Sequence, residues 1–451
     1  MANTPVIVSR QRRGAQEERD FGFLPEMMRL PTGNDWVQNY RKAAWDLYKK
    51  FPMPNTKDEP WRRTDLRSLK RDAFQMPVEK AYLDYPGVPD DLLQPLTGDS
   101  HGGQVVMLPG GVQVEIDEEI ESKGVVFTDL RTAEEEYPQV LSKIMGKVVS
   151  AEDGKFAAMA AALAQEGVLL YVPRGVRLEK PLHSLLWGPG KSFSYFSHIM
   201  VYLEEDSSVT YVHEAASPPT EDGQVMHSGI VEIYVGPSAN LRFVELQSWG
   251  EHVWNFSHER VKVDRDGNLD WIFGAVGSHL TKNFSDLDLV GRGSTGRMSG
   301  FYFTDHDQHL DHDTQQNHLA PNTTSDLLFK GALLGKSRSV WQGMIYVAPG
   351  ASKTDGYQAN RNLVLSDEAR ADSIPGLEIK TDDVRCTHGA TVGKIDPEPV
   401  FYLQSRGILK QEAERLVVEG FFDPIMQRIP FDGVRERFQK AIHQKMANFS
   451  G

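Results

Sequence analysis

The part of the sequence that decides the fold is a repeated unit in the middle of the chain. Each copy has a short apolar strand, a polar or glycine-containing turn and a second short strand. The four clearest copies are VYLEEDSSVTYVHE (201–214), VEIYVGPSANLRFVELQ (231–247), VKVDRDGNLDWIFGA (261–275) and LDLVGRGSTGRMSGFYF (287–303). Their first strands start at 201, 231, 261 and 287, so the unit recurs at a nearly constant interval.

A strand-based repeat of this length predicts a solenoid, because each coil buries its apolar face on the next coil. We therefore expect a mostly β fold, a right-handed parallel β-helix flanked by N-terminal and C-terminal helical domains. A β-sandwich would also supply the strands, but the near-constant spacing would then be a coincidence. Later copies, at 327–347 and 377–393, are spaced less evenly.

The flanks of the repeat have a different organisation. WVQNYRKAAWDLYKKF (36–51) predicts a helix inside an N-terminal helical domain at 1–95. A mixed lead-in at 96–167 contains short strands and one helix at 155–167 that ends at Gly167. The solenoid is predicted over 168–393. A change of hydrophobic period from 2 to 3.6 near 396 predicts a C-terminal helical domain at 394–451, which serves as a cap or as a docking surface.

Charge and hydropathy exclude several classes of protein. The chain has 49 Lys and Arg against 63 Asp and Glu, a formal net charge of −14. This balance argues against general nucleic-acid binding and against a basic membrane-surface protein. The start of the chain has no apolar signal region, and no stretch is long and apolar enough to span a membrane. A cytoplasmic location is therefore expected.

The chain contains one cysteine, Cys386, so it cannot form an intramolecular disulfide or an all-cysteine metal site by itself. Cys386 and His388 are two residues apart, so both side chains can lie on one face of a strand. From residue types alone, the pair is a nucleophile with its base, part of a ligand set, or packing. A cofactor that needs several cysteine ligands would have to take the others from another chain.

Two other groups of residues suggest different chemistry. His306, His309, His312 and His318 lie in a segment rich in aspartate and form the densest group of possible iron or zinc ligands. On a strand, however, His309 points away from His306 and His312, and hydrogen bonding between coils is the alternative. Glu204, Glu205 and Asp206 are candidate carboxylates of a β-helix carbohydrate enzyme.

Several segments resemble the SufB/SufD family of iron–sulfur cluster assembly proteins. The strongest are residues 347–396, which include KTDDVRCTHGATVGKID, and FYLQSRGI at 401–408. Further matches lie at Glu59–Leu66, at GVLLYVPRGV (167–176), at Asp311–Thr314 with His318, and at GFFDPIMQRIP (420–430). Within the family the SufD branch fits better, because SufB is expected to bring its own cluster-building cysteine and has a His-Glu-Ala-Thr segment here.

The resemblance implies a non-catalytic scaffold with a β-helix core. It would pair with SufB through the β-helices and dock the SufC ATPase on its C-terminal helices, and a homodimer could form where SufB is absent. A transient Fe–S cluster would be shared at the SufB interface, with none bound by this chain alone; the use of a flavin stays open.

The resemblance also assigns residues. His388 matches the interface ligand proposed for the family, and Cys386 is a lesser candidate beside it. The residues implied in SufC docking are Phe401, Tyr402, Leu403, Arg406, Gly407, Phe421, Phe422 and Ile425. A stand-alone metal-binding protein that uses the four histidines, and a carbohydrate enzyme, are the two alternatives.

Overall fold

The structure of the protein, a computed structural model, describes residues 20–447. The first 19 residues, where the predicted N-terminal domain begins, and the last four lie outside this part of the chain. Within residues 20–447, no helix is long and apolar enough to cross a membrane.

The secondary structure follows the predicted division into a helical start, a strand-rich middle and a helical end. The α-helices are α1 (Asp35–Lys50), α2 (Asp90–Leu93), α3 (Glu118–Glu121), α4 (Leu130–Glu136), α5 (Pro138–Ile144), α6 (Lys155–Leu163), α7 (Pro397–Ser405), α8 (Lys410–Met426) and α9 (Asp432–Ala447). Short 3-10 helices lie at Pro25–Met27, Glu59–Trp61, Arg71–Ala73, Ala81–Asp84 and Ala151–Asp153. The strands are β1 (Gly103–Leu108), β2 (Gly111–Ile116), β3 (Val126–Asp129), β4 (Glu166–Val172), β5 (Leu182–Trp187), β6 (Ser194–Leu203), β7 (Ser208–Ala216), β8 (Val225–Val235), β9 (Asn240–Ser248), β10 (Val253–Val263), β11 (Asn268–Ala275), β12 (Leu280–Leu289), β13 (Thr295–Thr304), β14 (His309–His318), β15 (Thr324–Leu333), β16 (Arg338–Val347), β17 (Asp355–Val364), β18 (Arg370–Ile379) and β19 (Arg385–Lys394).

From β4 onward the chain winds into a solenoid whose successive strands alternate between two sheets. Strands β4 to β18 with even numbers form the even sheet, and strands β5 to β19 with odd numbers form the odd sheet; within each, neighbouring solenoid strands are parallel. Each even strand and the odd strand after it make one coil. The predicted parallel β-solenoid is confirmed.

Strands outside the repeat extend the two sheets at the N-terminal end of the solenoid. β1 joins the odd sheet parallel to β5, and β2 pairs antiparallel with β1. β3 pairs antiparallel with β4 and ends the even sheet. The short strands that the sequence indicated in the lead-in therefore continue the solenoid sheets.

Each of the four quoted sequence units spans one corner between the sheets. Left-handed backbone recurs at these corners, with φ of 57° at Asp206, 55° at Ser238 and 54° at Asp266, and again with 58° at Asn322 in the corner after the fourth unit. Short polar side chains and glycine adopt this conformation most readily. Gly293, with φ of 77°, holds the same place in the coil between Asp266 and Asn322. The polar turn residues thus set the repeated corner geometry.

The interior between the two sheets, which we call the lumen, contains polar as well as apolar side chains. Ser197 Oγ lies 2.8 Å from His227 Nε2, and His227 Nδ1 lies 2.6 Å from Asn255 Oδ1. These residues occupy the first halves of their strands. The sequence units were recognised by their apolar residues, so they left out these polar first halves. Strand β6, for example, starts at Ser194, whereas its sequence unit starts at 201.

Helix α1, the Glu59–Leu66 segment and helices α4 to α6 pack on the outer face of the even sheet, whereas α2 packs against β5 of the odd sheet. Phe156 of α6 stacks on Phe256 of β10 with ring centroids 3.8 Å apart. Helix α6 ends at Leu163 and Gly167 lies in β4, so the prediction that one helix runs to Gly167 is wrong. A Cβ at Gly167 would lie 2.3 Å from the carbonyl oxygen of His198, so glycine is needed there for close strand packing.

The C-terminal helices pack on the outer face of the odd sheet. Phe422 of α8 and Phe438 of α9 are buried in one cluster with Phe301 and Phe303 of β13. Helix α7 packs against α8 and follows β19 after only residues 395 and 396. The last strand of the solenoid is therefore joined almost directly to the C-terminal helices.

Candidate functional site at the open end of the solenoid

Within residues 20–447, no further coil covers the C-terminal end of the solenoid. β18 and β19 are the outermost strands of the even and odd sheets, and we call the surface that they form the open end. Lumen-facing residues on these strands, including Leu377, Ile379 and Val392, are exposed, although residues at the same place in earlier coils are buried. The open end therefore presents unpaired strand edges beside an apolar surface.

Cys386 and His388 lie on β19 at this end. The register partners of Cys386 and His388 on β17 are Gly356 and Gln358, whose places face the lumen. Cys386 is half-buried and packs beside Ile345 and Val347. His388 is exposed, because the next coil that would cover it is missing from the described chain.

The geometry limits the chemistry of this pair. Residues i and i+2 of a strand are about 6.6 Å apart along the backbone, and within residues 20–447 no hydrogen bond joins the His388 imidazole to the Cys386 thiol as it would join a base to its nucleophile. Burial raises the pKa of the Cys386 thiol, which is the reverse of an activated nucleophile. The pair fits two ligands of a shared site better than a nucleophile and its base.

The four histidines of the 306–318 segment lie in separate surroundings. His306 is exposed in a corner, and its Nδ1 lies 3.0 Å from the Glu251 carboxylate. His309 lies outside the even sheet, with Nε2 3.1 Å from Thr64 Oγ1. His312 is in the lumen among aromatic rings, and burial lowers its pKa to about 3. His318 places Nδ1 2.7 Å from Thr323 Oγ1 and Nε2 2.8 Å from Ser325 Oγ.

The structure does not bring these four imidazoles together. Across residues 20–447, the group of three metal-type ligands within 4.8 Å of one another is Glu251, Asp305 and His306. The Lys445 ammonium group already donates a hydrogen bond to Asp305 in that group. Alternation along β14 accounts for the separation of His309 from His312 and His318.

Two segments that carry the sequence resemblance contact each other. Thr64, in the Glu59–Leu66 segment, donates to the Asp311 carboxylate of β14. Asp311 Oδ1 also lies 2.9 Å from the Nζ of Lys282, a fully buried lysine. Asp313 Oδ2 lies 2.7 Å from the same Nζ. This network fixes the N-terminal segment on the even sheet and has a structural role.

The carboxylates at 204–206 do not form a catalytic pair. Glu204 lies 2.9 Å from Lys143, Glu205 lies 3.0 Å from Arg174, and Asp206 lies 2.5 Å from Arg177. Each carboxylate therefore has its own cation in an open corner, without a shared groove between two acids.

The residues predicted to dock an ATPase divide into two groups. Phe401, Tyr402, Arg406 and Gly407 are exposed on α7 and the following turn, and Leu403 is half-buried there. Phe422 and Ile425 are fully buried against the odd sheet, so they anchor α8 instead of forming its outer surface. Phe421 is partly buried, and its carbonyl accepts a hydrogen bond from Lys330.

The sequence interpretation missed the polar groups of the lumen. Glu245 of β9 and Glu259 of β10 line a small internal cavity of about 20 Å³, together with Trp249 and Asn283. Gln358 is fully buried one strand below His388. In β17 the polar Gln358, Asn360 and Asn362 occupy alternate places, which is a signal in the sequence, but only the register shows that these places face the lumen.

Comparisons with known proteins show which family the chain belongs to. Residues 187–421 match the family described as SUF system FeS cluster assembly, SufBD core domain, and residues 31–183 match the SufBD protein N-terminal region. An iron–sulfur cluster assembly SufBD family protein of Staphylococcus aureus (strain USA300) is 29% identical over 442 residues, with 95% of this chain and 92% of the relative covered. A protein of the same description from Staphylococcus haemolyticus (strain JCSC1435) is 29% identical over 440 residues, with the same coverage.

Proposed function

Because this chain belongs to the SufBD family of iron–sulfur cluster assembly proteins, we propose that it is a non-catalytic scaffold subunit of the SufD type. The observation that carries this proposal is the open end of the solenoid, where Cys386 and His388 lie on the last strand. One thiol and one imidazole are too few to hold a cluster, but they suffice as one side of a shared site.

The proposed partner at the open end is SufB. The open end has unpaired strand edges on β18 and β19 and the exposed apolar residues Leu377, Ile379 and Val392. A partner with a strand edge and an apolar surface of its own would bury both. A second solenoid of the same family is such a partner, because its own last coil would present matching edges. A second copy of this chain is the expected occupant when SufB is absent.

The transient Fe–S cluster would then form between the two scaffolds. His388 is the proposed ligand on this side and Cys386 the secondary one, with the remaining ligands supplied by SufB. The single thiol of the chain favours SufD over SufB, since the cluster-building cysteine would lie in the partner. No residue is assigned to a flavin.

The proposed docking surface for the SufC ATPase is the exposed face of α7 and the turn that follows it. Phe401 and Tyr402 are exposed aromatic residues on a helix that has little contact with the solenoid, and the Arg406 guanidinium lies 4.9 Å from the Tyr402 ring centroid. Exposed aromatic and arginine side chains are typical centres of protein interfaces.

The test is to co-express this chain with SufB and SufC, purify the complex without oxygen and measure reconstituted cluster content. We compare wild type with His388→Ala and with His306→Ala, a matched control that removes another exposed histidine. Cluster content should fall several-fold only in His388→Ala, while the complex forms in all three. Equal cluster content in all three complexes would leave the cluster chemistry entirely on SufB.

The iron content of the chain purified alone tests one alternative, and the structure argues against the other. A stand-alone metal protein would hold stoichiometric iron when this chain is purified alone, and iron would be lost in His306→Ala. A carbohydrate enzyme would need two opposed carboxylates, whereas Glu204, Glu205 and Asp206 are each paired with a separate cation. The separate environments of the four histidines also favour the scaffold.

A further inference from the structure

One buried polar atom below the open end has no hydrogen-bond partner. It is the carboxamide oxygen, Oε1, of Gln358 on β17, a residue without solvent exposure. An unpaired buried acceptor of this kind destabilises the folded state, because it has lost its hydrogen bonds to water without gaining others. A buried atom that bears such a cost suggests a donor that approaches it in the working state of the protein.

The orientation of the Gln358 carboxamide is defined by its surroundings. Its Nε2 donates to the carbonyl oxygen of Gly376 at 2.9 Å and to that of Gly343 at 3.3 Å. Both carbonyl oxygens are acceptors, so only the NH₂ group can donate to them. If the amide were flipped, Oε1 would face the carbonyl oxygens of Gly376 and Gly343, which are also acceptors. Oε1 is therefore the free end of the side chain.

The strand register shows which donors can reach this oxygen. Gln358 has Leu327 as its partner on β15 and His388 as its partner on β19. Leu327 has no hydrogen-bonding group. Adjacent strands are about 4.8 Å apart, so a same-face imidazole on the next strand can bring a ring N–H to the carboxamide. His388 is exposed, so its side chain has room to rotate toward the Gln358 carboxamide.

We propose that Gln358 is the positioning residue of His388: its Oε1 accepts a hydrogen bond from one imidazole N–H, which fixes the tautomer and leaves the other ring nitrogen free toward the open end. Histidines that bind metals commonly donate their second N–H to such an acceptor. The proposed hydrogen bond between His388 and Gln358 is argued from the strand register and from the unpaired Oε1. The use of the free ring nitrogen as a cluster ligand rests on the proposed function.

The test is the tautomer of His388, read from the imidazole nitrogen signals of the full chain labelled with ¹⁵N-histidine. Spectra are recorded at pH 8, where an ordinary imidazole is neutral. The signal that disappears in His388→Ala assigns the residue. Wild type should show one dominant tautomer. Gln358→Met, which keeps the side-chain length but removes the oxygen, should show the averaged signals of an unconstrained imidazole.

Gln316→Met is the matched control. Gln316 is also buried in the lumen and also has an unpaired Oε1, but its register partners are Leu287 on β12 and Ile345 on β16. Its replacement should cost similar stability and leave the His388 tautomer unchanged. Trp341→Phe is a second control, because Nε1 of Trp341 is an unpaired donor in the lumen on a ring close to Gly343. This variant should also leave the His388 tautomer unchanged.

The outcomes separate this inference from the proposed function. A wild-type tautomer in Gln358→Met, an averaged tautomer in wild type, or an equal change in Trp341→Phe would overturn the positioning role. In the complex with SufB and SufC, Gln358→Met should lower cluster affinity by about 10- to 100-fold. If the tautomer changes and cluster content does not, the positioning role stands and the ligand role of His388 fails.

Discussion

Glu245 of β9 and Glu259 of β10 share a hydrogen bond inside the solenoid, although both are carboxylic acids and project from opposite sheets. Glu259 also accepts from Asn283 Nδ2 at 2.8 Å and from Ser285 Oγ at 3.0 Å. Burial raises the pKa of Glu259 and raises that of Glu245 well above its usual range. The pair therefore holds its proton to a higher pH than an ordinary carboxyl group does.

This pair makes stability depend on pH with a defined sign. The folded state holds its proton above the pH at which an unfolded glutamate loses it, so stability falls as pH rises from the usual carboxyl range toward the raised folded pKa. Glu245→Gln should flatten this decline and make the variant the more stable protein at pH 8, by about 1.4 kcal/mol for each pKa unit removed. Urea unfolding from pH 5 to 9 measures the effect.

The control for that experiment is Glu368→Gln, which neutralises an exposed glutamate that is paired with Lys336. Its unfolding curves should follow wild type at every pH, because exposed ion pairs contribute little. A parallel decline of stability in wild type and Glu245→Gln would show that the carboxyl pair is not the source.

Glu232 provides a second prediction, because it holds the lead-in on the solenoid. Its fully buried carboxylate accepts from the backbone N–H groups of Gly146 at 2.6 Å and of Val148 at 2.7 Å, and it lies 2.7 Å from His198 Nε2. Glu232→Gln should lower the free energy of unfolding by about 3–5 kcal/mol, because an amide cannot accept all of these bonds. Glu205→Gln, in an exposed corner, should change it by less than about 1 kcal/mol; equal losses would contradict the role.

Much of the fold could be predicted from the sequence because the corners repeat. Polar turn residues such as Asp206 and Asp266 take left-handed backbone at regular intervals, and an apolar strand half lies on each side of them. The change to a period of 3.6 near 396 likewise marks the C-terminal helices, which begin at Pro397. Local sequence determines these features, so a local pattern reveals them.

The rest depends on contacts between distant segments. His227 and Asn255 are polar yet lie inside, because they satisfy each other across neighbouring coils. Phe422 and Phe401 have the same side chain, but one packs on the odd sheet and the other faces outward. The resemblance placed His388 at an interface, while Gln358 below it became visible only from the strand register.

The third prediction concerns the exposed face of α7. Phe401→Ala should weaken binding of SufC by at least about 10-fold, because a buried aromatic anchor typically contributes 2 kcal/mol or more to an interface. Its side chain is 71% exposed in this chain, so the fold should be unaffected. Calorimetric titration with purified SufC measures the change. The control is Leu83→Ala, because Leu83 is also 71% exposed but lies in another region, and this variant should bind SufC like wild type. If Phe401→Ala also binds SufC like wild type, the docking surface does not include α7.

The last prediction concerns pairing at the open end. Val392 of β19 is 48% exposed, and a partner solenoid at the open end would bury it. Val392→Asp would then place a charge in an apolar interface, at a cost of several kcal/mol unless it is paired. We expect Val392→Asp to lower the affinity for SufB at least about 100-fold, measured by sedimentation. The isolated variant should keep the unfolding midpoint of wild type.

Val114→Asp is the matched control, because Val114 is 38% exposed on β2 at the opposite end of the odd sheet. The two variants carry the same substitution on an edge strand of the same sheet, so general effects on folding or solubility should be shared. Loss of pairing only in Val392→Asp would locate the interface at β18 and β19. Loss of pairing only in Val114→Asp would locate it at the N-terminal edge, and Cys386 and His388 would then lie away from the partner.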